Sequence, residues 1–277
     1  MHNLYKSSDW YVLHRLISTA GQIKHYEWDS TYRKWLETYK VYLKEIEDEY
    51  SRMLKLSNRA LKAFGGDPSS TDWSNFRPLR LSREEDWADW LMHLIEQSGT
   101  GLLSSMLFND SNREAASFIQ PDKTYRELTD HSRRYRADMI IKWDDQSFTH
   151  IEVKIGDHHL KKTFPTSETF RTQIQATKDN WLNYILLLNE QLYDWECTLE
   201  VSDPEIRIEA ITWTDVAVAL RKSLVSSESM IWKSWAYTFL GAIEQCLLGI
   251  PATGKGKLSP QNIIKRSQII KKAISDE

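Results

Sequence analysis

Two short runs rich in β-branched residues interrupt an otherwise helical spacing of apolar positions: Arg136-Ala-Asp-Met-Ile-Ile-Lys-Trp143 and Phe148-Thr-His-Ile-Glu-Val-Lys-Ile155. They flank Asp144-Asp145-Gln146-Ser147, a stretch of turn-forming residues, and so predict a β-hairpin. A three-residue loop over 144–146 pairs Trp143 with Ser147 and sets Asp138 directly across from Glu152. Because strand side chains alternate, Lys154 joins the face of the two acids, while Met139, Ile141, Ile151, Val153 and Ile155 point the other way.

Helical patterns surround this hairpin. Residues 81–96 place apolar side chains at 87, 90, 91, 94 and 95, with Ser82 as N-cap and Glu85 completing a capping box. From Ser167 to Asn189, the spacing of Phe170, Ile174, Thr177, Trp181, Ile185 and Leu188 predicts a helix packed on the sheet. Glu205 to Ile211 alternates like a strand, and Thr212-Trp-Thr-Asp215 opens a further helix with cap chemistry. Ile231 to Leu248 reads as a strongly apolar helix closed by Gly249 and Pro251.

Ahead of the hairpin, residues 9–64 carry Trp28, Tyr32, Trp35, Tyr39, Tyr42 and Leu43 at helical intervals, which predicts two or three helices. Their aromatic stripe is read as packing surface, with dimerisation or contact with a partner protein as further roles. The expected organisation is therefore a helical region over 1–65, a turn-rich linker over 66–80, a mixed α/β domain over 81–250 and a basic tail over 251–277.

The composition narrows the classes. No apolar stretch approaches the ~20 residues needed to span a bilayer, and the N-terminus lacks a signal-peptide apolar region. Cys197 and Cys246 supply neither a CxxC nor a Cys/His cluster, so a disulfide framework and a zinc site are both unsupported and a reducing cytoplasm is the expected compartment. The net charge of −3 does not advertise nucleic-acid binding, which would have to come from local patches. Such patches exist at Arg133, Arg134 and Arg136, at Lys161 and Lys162, and at Arg171 and Lys178; the tail adds Lys255, Lys257, Lys265, Arg266, Lys271 and Lys272. Residues 249–256 imitate a phosphate-binding loop, but Gly256 stands where the magnesium-binding hydroxyl belongs, and His158-His159 lack ligand spacing.

The chemistry concentrates on the hairpin. Two opposed carboxylates, roughly 5 Å apart at Cβ, repel one another unless a cation lies between them. Oxygen ligands of this kind suit Mg²⁺ or Mn²⁺, with the Lys154 ammonium in reach of what the metal holds.

Arg-Ala-Asp138 followed by Ile-Glu152-Val-Lys154 resembles the core of the PD-(D/E)xK nuclease superfamily, with Ala137 where the name has Pro. The resemblance covers about residues 80 to 215. It implies a restriction-endonuclease-like fold, a central mixed sheet of four to five strands flanked by helices, carrying an N-terminal helical extension and C-terminal helices. It further implies hydrolysis of phosphodiesters, with DNA as the expected substrate, in restriction, repair or anti-phage defence. Asp138, Glu152, the Val153 carbonyl and a Glu of the first helix, for which Glu85 and its neighbour Glu84 are the candidates, would then hold the metal. Lys154 would orient the attacking water, and Gln173, or Gln175 beside it, would serve from the following helix. Arg133, Arg134, Arg136, Lys161, Lys162 and Arg171 would contact the nucleic acid. A non-catalytic binding or assembly protein that reuses the fold is the alternative.

Overall fold

A computed structural model describes residues 25–73, 81–108, 121–143, 146–156, 162–199, 207–253 and 258–274, with side chains from residue 30 onward. The chain divides into two compact units, Met1–Asp48 and Glu49–Glu277. Helix α1 is His25–Ala60, a single element where two or three helices are predicted from residue 9; residues 1–24 lie outside the described set. In the first unit Tyr32, Trp35, Tyr39 and Tyr42 are exposed by 59, 54, 39 and 51 %, so their stripe is not core. Trp35 and Tyr39 stack on one another with centroids 5.3 Å apart.

The second unit is built on a five-stranded sheet in the order β1-β2-β3-β4-β5. Its strands are β1 Pro121–Thr129, β2 Arg136–Trp143, β3 Phe148–Val153, β4 Trp181–Leu187 and β5 Glu209–Thr212. The first three pair antiparallel, and β3, β4 and β5 run parallel, so β3 joins the two halves. The helices are α2 Glu84–Glu96, α3 Leu102–Leu107, α4 Thr163–Ile174, α5 Leu192–Leu199, α6 Trp213–Leu224, α7 Met230–Ala242 and α8 Pro260–Ile274. A wider turn, Ile243–Leu247, continues α7. The mixed α/β class expected from the sequence is therefore present.

The hairpin has the register that the sequence dictates. Met139 pairs with Ile151 and Lys142 with Phe148, while Trp143 N–H donates to Ser147 O at 2.9 Å to close the loop. Gln146 takes a left-handed φ of 66°, the backbone that lets a short loop reverse the chain. One face of the hairpin, Met139, Ile141, Trp143, Ile151 and Val153, enters the main core with Trp87, Leu91 and Ile95 of α2 and Val216 and Leu220 of α6.

Two expectations are corrected and one strand is added. Residues 181–187 form strand β4, not the second half of a helix, because α4 stops at Ile174 with Gln175 in the left-handed conformation. β4 is paired on both edges and almost wholly buried, and such strands lack alternation, leaving apolar spacing that fits a helix equally well. β1 is a strand that the hydrophobic pattern did not reveal; its charged residues are tied down individually, Arg126 to Glu96 at 2.5 Å and Asp122 to Lys142 at 2.6 Å. At the start of α2, Asp86 rather than Glu85 caps, accepting from the Ser82 and Arg83 N–H groups at 2.9 Å each.

The stretch read as a linker is in part interior. Asp67 and Ser69 are buried, and Trp73 lies so close on α7 that a Cβ on Gly241 would collide with its indole. Asp67 pairs with Arg221 of α6 at 2.6 Å, and Arg221 reaches Glu244 at 2.7 Å. Burial alone would raise Asp67, but the Arg221 guanidinium outweighs it and holds the carboxyl well below its usual range. Arg266, read as part of a basic surface, is fully buried on α8 and donates to Pro251 O at 2.7 Å.

Candidate functional site

The face of β2 and β3 opposite the main core carries the polar set. Asp138 lies one residue before Met139 and Glu152 one after Ile151, so the observed pairing sets them opposite each other. Asp138 Oδ2 accepts the Val153 N–H at 2.8 Å, a side-chain bond that fixes the carboxylate against the end of β3. Lys154 N–H donates to Leu186 O at 2.9 Å, which anchors the residue to β4 just beyond the last residue of β3. Its ammonium sits 2.9 Å from Glu152 Oε1 and 4.0 Å from Glu84 Oε2. Glu84, at the first turn of α2, also accepts the Ile155 N–H, so the helix N-terminus is clamped to the chain leaving β3.

Asp138, Glu152 and Lys154 are all buried, and their charges decide the electrostatics. Burial, reinforced by the Asp138 charge, pushes Glu152 up to about 7 despite Lys154. Burial also raises Asp138, with Glu84 adding to the effect and Lys154 and the Val153 N–H opposing it. Burial disfavours the Lys154 ammonium, yet Glu152 and Asp138 more than compensate and raise it, so it stays charged. Acids thus outnumber bases in a place that water reaches poorly, and the site holds on to a proton near neutral pH.

Behind Glu152 lies His150, fully buried, with Nε2 4.0 Å from Glu152 Oε2. Burial brings its imidazole down to about 4. Its ring stacks on Trp181 at 5.9 Å and 16°. Neither ring nitrogen makes a well-formed hydrogen bond, and Glu152 Oε2 likewise lacks one. His150 was not singled out in the sequence, although it shares the alternation that links Glu152 and Lys154.

The other expected residues are placed as follows. Glu85 points to Arg136 at 3.0 Å, so Glu84 is the α2 acid that reaches Lys154. Val153 keeps its side chain in the main core and meets the site through its backbone. Gln173 is half-buried in the last turn of α4, and Gln175 is exposed beyond its end. Arg133 and Arg134 are exposed in the turn between β1 and β2, which Asp130 shapes by accepting the Ser132 N–H at 2.9 Å and the Tyr135 N–H at 2.7 Å. Arg136 is engaged by Glu127 at 2.8 Å as well as by Glu85, and Arg171 by Glu168 at 2.6 Å. Lys162 is exposed ahead of α4. Lys161, His158 and His159 lie outside the described residues, as do residues 254–257 of the phosphate-loop imitation.

Among the described residues, no group of three or more His, Cys, Asp and Glu side chains is arranged to hold a metal ion. The donor set nevertheless suits a hard cation. Asp138 and Glu152 each have one oxygen engaged, by the Val153 N–H and by Lys154, and the buried Glu152 Oε2 stands without a hydrogen-bond partner. No helix among the described residues is long and apolar enough to cross a membrane.

Comparison of the chain with protein-family models, curated proteins and solved structures gives no match to any of them.

Proposed function

We propose that the chain is a metal-dependent nuclease with a restriction-endonuclease-like core, hydrolysing phosphodiester bonds of DNA. The observation that carries the reading is the convergence of Asp138, Glu152 and Lys154 on one face of β2–β3, with Glu84 arriving from α2. Asp138 and Glu152 would hold Mg²⁺ or Mn²⁺, which when bound lowers the pKa of a water ligand and stabilises charge on the scissile phosphate. The excess of buried carboxylates favours an incoming cation, since a cation would offset the burial and the mutual repulsion that raise both acids. Lys154, held charged at 2.9 Å from Glu152, is positioned to meet negative charge that develops on phosphate oxygens. Exposed Arg133, Arg134 and Lys162 would supply phosphate contacts that add affinity without reading sequence.

Incubation of the full chain with plasmid, single-stranded DNA and RNA under Mg²⁺ or Mn²⁺ tests the proposal. Cleavage of DNA is expected, lost in Glu152→Gln and in Lys154→Ala, the latter with only modest loss of DNA binding. A wild-type chain that cuts nothing, or a Lys154→Ala variant that cuts normally, refutes it. A second reading, a non-catalytic nucleic-acid-binding or assembly protein on the same scaffold, draws on the exposed row Tyr32, Trp35 and Tyr39 and on the finding that no three-ligand cluster occurs among the described residues. Its mark is absence of cleavage together with retained partner or nucleic-acid binding.

A further inference from the structure

We infer that His150 is a positioning residue for Glu152, its Nε2–H fixing the Oε2 oxygen of that carboxylate so that the acid meets a cation in one orientation. The inference rests on the metal-dependent reading above and adds to it a residue outside the Asp138, Glu152 and Lys154 set.

Three observations carry it. His150 Nε2 and Glu152 Oε2 face each other at 4.0 Å, both buried and both without a hydrogen-bond partner. That separation is too long for a hydrogen bond, and the broad terminal torsion of a glutamate is the freedom through which the carboxylate would close it. Two buried polar groups that face one another unsatisfied call for such an explanation.

The imidazole is also held from behind. It stacks on Trp181, whose indole N–H donates to Asn183 Oδ1 at 2.7 Å and to Ser167 Oγ at 3.0 Å. The Ser167 hydroxyl donates to the same Asn183 oxygen. An indole can only donate, so it fixes which end of the Asn183 amide is oxygen. With that oxygen taken by two donors, the Asn183 amide nitrogen donates to Arg207 O at 3.3 Å, and the register partner of Asn183 on β3 is His150. Ring, indole and amide thus form a braced wall behind Oε2. An apolar side chain at 150 would fill the space but leave Oε2 free to turn.

The test uses the full chain and Mn²⁺, followed by the electron paramagnetic signal of the free ion. His150→Phe keeps an aromatic ring and loses the N–H; it is expected to weaken Mn²⁺ binding about 10- to 100-fold, whereas His150→Gln, which restores an N–H donor, stays within roughly threefold of wild type. Thermal midpoints of both variants report any general loss of structure. A measurement on the wild type does not depend on either variant folding: the ¹⁵N shifts of His150 should show the Nε2–H tautomer, and the Nε2 signal should move when Mg²⁺ is added. Equal Mn²⁺ affinity in wild type and His150→Phe, or an Nδ1–H tautomer indifferent to Mg²⁺, overturns the inference and leaves the metal reading standing. Mn²⁺ binding by wild type no stronger than by Glu152→Gln overturns both.

Discussion

Replacing Glu152 by Gln should make the metal-free protein more stable, and only above a definite pH. The ordinary value for a glutamate is 4.5, and in the folded chain Glu152 stands at about 7. Folding therefore favours the protonated acid. Between the two values the unfolded chain gives up its proton while the folded chain keeps it, so stability falls as pH rises through this window. Below 4.5 both states are protonated and Glu152 exacts no electrostatic cost; above 7 the loss is complete. Each pH unit of the window corresponds to about 1.4 kcal/mol, so ionised Glu152 costs the fold on the order of 3 kcal/mol at pH 8.

Gln removes the charge and keeps the shape. Its amide oxygen can still accept from Lys154, which now bonds Glu152 Oε1 at 2.9 Å. Its NH₂ replaces the oxygen that faces His150, and the neutral ring meets it as an acceptor by carrying its proton on Nδ1 instead. For a chain of this length a kcal/mol is worth roughly 2 °C or more. Differential scanning calorimetry in metal-free buffer should therefore find Glu152→Gln melting roughly 6 °C above wild type at pH 8, with the difference vanishing toward pH 4.5. A variant less stable than wild type at pH 8, or a gain that does not change between pH 5 and pH 8, would refute the claim that the site carries an uncompensated negative charge.

Other consequences are open to simpler measurements. Arg221→Met should cost about 3 to 5 kcal/mol in urea unfolding, because it strands the buried carboxylates of Asp67 and Glu244 without their shared guanidinium. Glu84→Gln should impair Mn²⁺-dependent cleavage more than Glu85→Gln, since Glu84 reaches Lys154 and the Ile155 N–H while Glu85 bonds Arg136; equal effects in a cleavage time course would contradict this. Isothermal titration should show Mn²⁺ affinity rising with pH up to about 7 and levelling beyond it, because the ion must displace the proton that Glu152 retains.

The hairpin was legible because its information is local. A short polar loop sets the register, and period-two alternation then sorts Asp138, Glu152 and Lys154 from Met139, Ile151 and Val153 without reference to the rest of the chain. The Thr212 cap was readable for the same reason; Asp215 accepts from the Thr212 N–H at 3.0 Å and its hydroxyl at 2.6 Å. What failed depended on distant partners. Trp181 to Leu187 became a strand because β3 and β5 flank it, and nothing within the segment announces those neighbours. Glu84 and Glu85 are equivalent in sequence, and only Arg136 on one side and Lys154 on the other decide which turns to the site. His150 looked like any strand residue until Trp181 and Asn183 came to stand behind it.

Two buried charge groups in the second unit show why one of them is read as structural and the other as functional. Around α6, the acids Asp67 and Glu244 share Arg221 at 2.6 and 2.7 Å, and Arg266 stands a further 4.0 Å from Glu244. Two negative charges meet two positive ones, and removing any member costs stability without freeing a binding site. On β2–β3, Asp138, Glu152 and Glu84 face Lys154, while the nearby Arg136 is taken by Glu85 and Glu127. The packing there already supplies a well-filled apolar face on the opposite side of the same strands, so the fold gains nothing from burying an unbalanced set of acids. Such a set persists at a cost in the free protein, and under the proposed function a bound cation would recover that cost by completing the charge balance. The imbalance, more than the identity of any one residue, is the feature on which the proposal of metal-dependent chemistry at this face rests.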